Sequence, residues 1–238
     1  MSVSITSIIF IIITLYAVSA HAIDGYGLAA PLPYGALAGA TTSTEERKVD
    51  EQSIIAEQKK LTTVERNTLK SEDMFRLELI TAPHKIDINS SDNKALKHLL
   101  ERSWATAAAS IYGARLQWRG SRPVENNPAI LDLASPVASK PEPETGFPAA
   151  HPAMLYTLSG VLSLVNTDWQ RDAFATADAI SARRKIAGLH YSKDLQGGRD
   201  LGYMLLGAMA QDTSFKNDLI AARKEYWSKQ ASTKGTQP

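Results

Sequence analysis

The chain has no cysteine among its 238 residues, which excludes a disulfide framework and any thiolate metal site. Charge of one sign is also scarce. With 26 Lys and Arg against 25 Asp and Glu the formal net charge is +1, so no global field draws the chain to nucleic acid or to an acidic membrane, and any anion binding has to be local. Convincing strand alternation and internal repeats are missing. No apolar run reaches the roughly 20 residues of a membrane span; the most pronounced, IIFIIITLYAV at 8–18, falls short. Histidine is sparse too, at five residues.

The short apolar run has a meaning of its own. It leads to Ala20-His21-Ala22, the small-x-small pattern of a signal-peptidase site. No Lys or Arg precedes it, which departs from the usual signal and leaves an uncleaved anchor as the alternative. The expectation is a signal peptide over 1–22, removed with His21, and an exported product, periplasmic in a Gram-negative cell or secreted, with no stable membrane span after processing. Residues 23–44, rich in Gly, Pro and small side chains, read as an extended arm. A helical domain is expected over 45–230, followed by a polar tail at 231–238.

Within 45–230 the pattern is helical throughout. STEERKVDEQSIIAEQKK carries a Ser or Thr cap and acids in its first turn. TTVERNTLKSEDMFRLELI reads as a second helix with its own Thr cap, broken by Pro83. From about Asp92, Leu96, Leu99, Leu100, Trp104 and Ala107 form one apolar stripe, and Gly120 and Pro123 end that helix. A proline-containing loop from Glu125 to Phe147 is long enough to be functional or mobile. Helices follow at AAHPAMLYTLSGVLSLVN, at DWQRDAFATADAISARRKIAG, closed by Gly188, at HYSKDLQGGRDLGYMLLGAMAQ and at DTSFKNDLIAARKEYWSKQ. Glycines 197, 198, 202 and 207 would weaken the third of these, and read as points of close helix contact. The fold class is all-α, a single-domain bundle of about six to eight helices with an antiparallel core.

Three stretches concentrate cations and histidines at helix ends. Arg115 precedes Arg122-Pro123 by six intervening residues; Pro148-Ala149-Ala150-His151 opens a helix; Arg184 precedes His190 by five intervening residues, and His190 precedes Asp194 by three. Such a set suits phosphoryl transfer. Guanidinium groups match phosphate oxygens in a fork and stay charged. One histidine can be the nucleophile, held through its other ring nitrogen by a carboxylate four residues away. A second can protonate the departing alkoxide, and a helix N-terminus adds N–H donors. Each part also has a plainer reading. His190 with Asp194 could be a surface pair, His151 a cap-region residue, and the arginines partners of helix dipoles. The stripe in LGYMLLGAMA reads as core, and His84 and His98 take no role.

The three blocks resemble the signature of the bacterial class A non-specific acid phosphatases, in the superfamily that also holds type 2 phosphatidic-acid phosphatases and vanadium haloperoxidases: Lys-x6-Arg-Pro, Pro-Ser-Gly-His and Ser-Arg-x5-His-x3-Asp, in that order. VERNTLKSEDM, LKHLLERSWATAA and FKNDLIAARKEYW resemble family segments as well, so the likeness runs from about Glu45 to the C-terminus. It implies an acid phosphatase/haloperoxidase-like fold and a phosphomonoesterase that needs no metal and no cofactor. His190 would be the nucleophile, Asp194 its orienting carboxylate and His151 the leaving-group acid. Arg115, Arg122 and Arg184, with the backbone at Ala149 and Ala150, would bind substrate. The partners implied are a small phosphomonoester and inorganic phosphate, with no nucleic acid and a homo-oligomer as an option.

The chain departs from that signature at four positions: Arg115 stands for the family lysine, Ala149 for its serine, Ala150 for its glycine and Arg183 for the serine before Arg184. Losing one charge-assisted hydrogen bond costs roughly 1.5–3 kcal/mol. The alternatives are therefore an impaired member that binds phosphate or a phosphorylated ligand, a lipid-phosphate phosphatase and, more remotely, a vanadate-dependent peroxidase.

Overall fold

A computed structural model describes residues 24–28, 30–37, 43–134 and 146–234. The expected signal peptide, part of the long loop and the end of the tail lie outside these residues. Among the described residues there are nine α-helices and no strand: α1 Thr44–Lys60, α2 Thr63–Ser71, α3 Glu78–Thr81, α4 Lys94–Gln117, α5 Pro123–Asn126, α6 Ala150–Val165, α7 Gln170–Ile186, α8 Ser192–Met209 and α9 Thr213–Lys234. The all-α expectation therefore holds. The count exceeds six to eight because α3 and α5 are single turns that periodicity cannot register.

The organising element is α6. His151 apart, its sequence carries no charged residue, and it is buried on every face from Pro152 to Leu162, as a helix that is apolar all round must be. Helices α4, α7 and α8 surround it, and α9 lies along α4. The α6–α8 contact is close because α8 has no side chain where it approaches. A methyl group on Gly198 would come within 2.4 Å of the Ala149 carbonyl oxygen, and one on Gly202 within 2.8 Å of the Tyr156 Cβ. That proximity brings the starts of α6 and α8 together. Gly207 faces open space, so its expected contact is absent.

Helix boundaries follow local chemistry. Ser43 and Thr62 each head a capping box, exchanging bonds with Glu46 and Glu65. Helix α2 stops at Ser71, well before the expected run ends, because Glu72 and Asp73 are taken up by tertiary partners described below; those contacts override helix propensity. The arm is only partly extended. Tyr26, Leu32 and Leu37 are buried in the core, and the Tyr26 N–H donates to Thr106 Oγ1 at 2.7 Å.

Helix α7 ends on a Schellman turn. The Gly188 N–H donates to the Lys185 carbonyl at 2.8 Å and the Leu189 N–H to that of Arg184 at 3.3 Å. Gly188 has φ +83°, and a methyl there would meet Val124 Cγ1 at 2.7 Å, so glycine is needed both for conformation and for space. The turn sends the chain directly into His190. Beyond it α8 begins with help from α1: the Asp50 carboxylate accepts the Ser192 N–H at 2.7 Å and the Ser192 hydroxyl at 2.8 Å.

Candidate active site

Helix ends from four elements meet in one place. Arg115 comes from the last turn of α4, Arg122 from the residue before α5, His151 from the first turn of α6 and Arg184 from the last turn of α7; His190 follows the Schellman turn. Arg122, Arg184 and His190 are 7%, 3% and 4% exposed. Arg115 donates from Nη2 to the Pro148 carbonyl at 3.2 Å, tying the end of α4 to the entry of α6.

The charges are near enough to act on one another. His190 is held well below the ordinary histidine range, first by burial and then by the positive charges of Arg122, Arg184 and Arg115 and by His151. His151 is likewise held well below it, by burial, Arg184 and Arg115, against hydrogen bonds to the Glu72 and Asp73 backbone. Both imidazoles are therefore neutral at pH 7. Burial depresses Arg122 in the same way.

Neutral rings held by carbonyls have fixed tautomers, because a carbonyl oxygen only accepts. His190 Nδ1 lies 2.9 Å from the Gly146 carbonyl, so Nδ1 carries the proton and Nε2 keeps the lone pair. His151 Nε2 lies 3.0 Å from the Glu72 carbonyl, which leaves Nδ1 as its lone-pair nitrogen.

Asp194 does not hold His190 by a hydrogen bond. Its nearer oxygen is 4.0 Å from Nδ1 and instead accepts the Tyr191 N–H at 2.7 Å. The four-residue rule behind that expectation applies inside a helix, and His190 sits two residues before α8 begins. Burial raises the Asp194 carboxyl to about 7, against the lowering effect of that N–H. Ala149 also corrects its expected part: its N–H donates to the Asp194 carbonyl at 3.0 Å and is not available to a ligand. Ala150, the first residue of α6, has no intrahelical acceptor for its N–H and remains a candidate donor.

Glu72, Asp73 and Gly146 were missed from the sequence. Two adjacent acids face two adjacent arginines. Arg183 forks onto Glu72 at 2.8 and 2.6 Å, and Arg184 bonds Asp73 through Nη2. Arg184 Nε and Nη1 remain buried with no hydrogen-bond partner. Leaving a buried donor unpaired costs about 1–3 kcal/mol, which an oxyanion accepting from these nitrogens would recover. Clefts of about 480 Å³ at Asp168 and Phe174 and about 460 Å³ at Tyr26 and Tyr34 lie elsewhere. We place the candidate site at the cluster because it gathers the buried guanidinium and imidazole groups, which those clefts do not.

Chemically, the arrangement presents a basic imidazole nitrogen and guanidinium donors to an anion in a desolvated setting. Among the described residues no group of His, Asp and Glu has metal-ligand geometry. In comparison with known proteins, no family model matches the chain. It is similar to a protein named acid phosphatase from Zymomonas mobilis subsp. mobilis, 22% identical over 135 residues. The matched region is 55% of this chain and 49% of that protein, so the chain spans about half the length of the curated relative it matches.

Proposed function

We propose that this chain is an exported phosphomonoester hydrolase of acid-phosphatase type, working through a phosphohistidine at His190. The named relative supports phosphatase chemistry as a class. The observation that carries the finer reading is the fixed tautomer of His190, which keeps the lone pair on Nε2 of a ring that feels the charges of Arg122, Arg184 and Arg115.

In the first step His190 Nε2 forms a bond to phosphorus while the bond to the leaving oxygen breaks. The guanidinium groups balance charge on the equatorial oxygens, and His151, protonated on Nδ1, gives that proton to the departing alkoxide. In the second step His151 takes a proton from water, the resulting hydroxide attacks phosphorus, and the P–N bond breaks to return neutral His190 and inorganic phosphate. His151 is neutral in the empty site, so its proton has to arrive with, or be stabilised by, the substrate anion. Mildly acidic pH favours that state, which accounts for an acid phosphatase rather than an alkaline one.

The test is hydrolysis of an aryl phosphate in EDTA by the wild type and by His190→Ala. The proposal expects turnover in the first, loss in the second and inhibition by vanadate, a mimic of the trigonal-bipyramidal transition state. Equal turnover in both would remove His190 from the reaction. A second reading, a phosphate-binding protein without turnover, is favoured by the engaged Ala149 N–H and the missing hydroxyl at that position. Tight phosphate binding with no hydrolysis across a broad substrate and pH range would select it. For a lipid phosphate, no helix among the described residues is long and apolar enough to cross a membrane.

A further inference from the structure

Arg183 is the departure from the family signature that the reaction above leaves without a part. It is not among the leading charges that act on either imidazole. Its whole fork is committed to Glu72, Nε to one carboxylate oxygen at 2.8 Å and Nη2 to the other at 2.6 Å. Glu72 is the residue after α2, 7% exposed, and its carbonyl oxygen is the one that His151 Nε2 meets at 3.0 Å. The chain from α7 to the ring is therefore continuous: Arg183 guanidinium, Glu72 carboxylate, Glu72 carbonyl, His151. Phe75 closes the other side of that ring, edge-on at 5.9 Å.

We infer that Arg183 is a positioning residue for the leaving-group acid: by fixing the Glu72 side chain it sets the carbonyl that orients His151. The serine found there in the family signature is too short to form such a fork, so in this chain the acid is braced from α7. Arg184, one residue on, takes Asp73 through Nη2 and keeps two buried nitrogens, Nε and Nη1, without a hydrogen-bond partner. Adjacent arginines thus divide the work, one on the acid's support and one on the anion. The inference rests on His151 acting as the leaving-group acid.

The experiment compares Arg183→Ser with wild type on two substrates, an alkyl phosphate whose alkoxide must be protonated to leave and 2,4-dinitrophenyl phosphate, whose phenolate leaves without help. A brace predicts a loss of about 10- to 100-fold in kcat/KM on the alkyl ester, and a kcat/KM within about twofold of wild type on the activated one, because kcat/KM ends at phosphohistidine formation and leaves out the water step that also uses His151. Glu72→Gln, a milder change at the other end of the same contact, should reproduce the selectivity in smaller measure. Arg183→Lys should restore part of the alkyl activity. Equal losses on both substrates, or none on either, overturn the inference and leave the phosphohistidine reaction standing. If wild type hydrolyses neither ester, the reaction itself fails. The brace is then decided by ring-nitrogen NMR: in Arg183→Ser the His151 Nε2–H resonance must move while the His190 Nδ1–H resonance stays. An unchanged His151 signal overturns it.

Discussion

His190, buried, and His151, half-buried, are the same residue type in the same cluster, each held by a main-chain carbonyl, yet they offer opposite faces. His190 is gripped at Nδ1 by Gly146 and keeps Nε2 as its base, while His151 is gripped at Nε2 by Glu72 and keeps Nδ1. Their supports differ in kind. His190 follows the Gly188 turn at φ +83°, and the Gly146 N–H is itself bonded to the Gly120 carbonyl at 2.7 Å. His151 depends on an ion pair between α7 and the residue after α2. On the proposed reaction, which nitrogen a carbonyl reaches first gives the two imidazoles different chemistry, and the carboxylate nearest His190, that of Asp194, stands 4.0 Å from Nδ1.

The comparison is broken most directly by deleting each ring. His190→Ala should lower kcat by roughly 10⁴-fold or more on every phosphate ester, since a nucleophile serves all of them. His151→Ala should cost about 10²- to 10⁴-fold in kcat/KM on alkyl esters and far less in kcat/KM on activated aryl ones, whose first step needs no acid. Similar leaving-group profiles for the two variants in steady-state assays would erase the distinction between them.

The supports can be tested next. Gly188→Ala places a methyl against Val124 and Ile130 at a φ of +83°. It should destabilise the fold by about 2–4 kcal/mol in a denaturant titration, from the backbone conformation and the overpacking together, and reduce activity by displacing His190. Asp194→Asn sharpens the comparison from the other side. Asn still accepts the Tyr191 N–H, so the effect on kcat/KM should stay below about tenfold, or about 1.4 kcal/mol. A loss as large as that of His190→Ala would make Asp194 the orienting group after all.

The smallest effect is on stability against pH. Below about 6.5 the unfolded chain protonates imidazoles that the folded cluster keeps neutral, so stability falls as pH drops from that value. Asp194 acts in the opposite sense. Raised to about 7, it keeps a proton that the unfolded chain releases above about 4, so its contribution is present at low pH and lost as pH rises through 7. Two deeply depressed imidazoles outweigh one raised carboxyl, and the Tm of the ligand-free protein should decline between pH 6.5 and 5. Saturating inorganic phosphate should flatten that decline, because a bound anion favours the protonated rings. A Tm that rises over this interval without ligand would reverse the assignment.

Much of the framework is legible in the sequence for identifiable reasons. The apolar stripe of α4, the uncharged run of α6 and the Ser and Thr caps are local signals, and helices at these places follow from them. The gathering of Arg122, His151, Arg184 and His190 is legible only as an ordered set of motifs, because distance along the chain says nothing of convergence. What stayed hidden has no spacing to reveal it. The Gly146 and Glu72 carbonyls are main-chain groups that every residue possesses, and their selection depends on tertiary placement. Glu72 and Asp73 left a faint trace, two adjacent acids matching two adjacent arginines on a distant helix. The expected His190–Asp194 bond failed because a helical rule was applied across the end of a turn.

Asp73's hold on one tip of Arg184 has a consequence for turnover. An arriving anion meets a cation already half answered by a neighbour, so it is drawn by direction more than by brute attraction. On the proposed reaction, product phosphate would face the same moderated grip, whereas a fully unanswered guanidinium at that depth would hold it as a trap. On that reading, a carboxylate outside the reaction would keep the cradle from becoming a store.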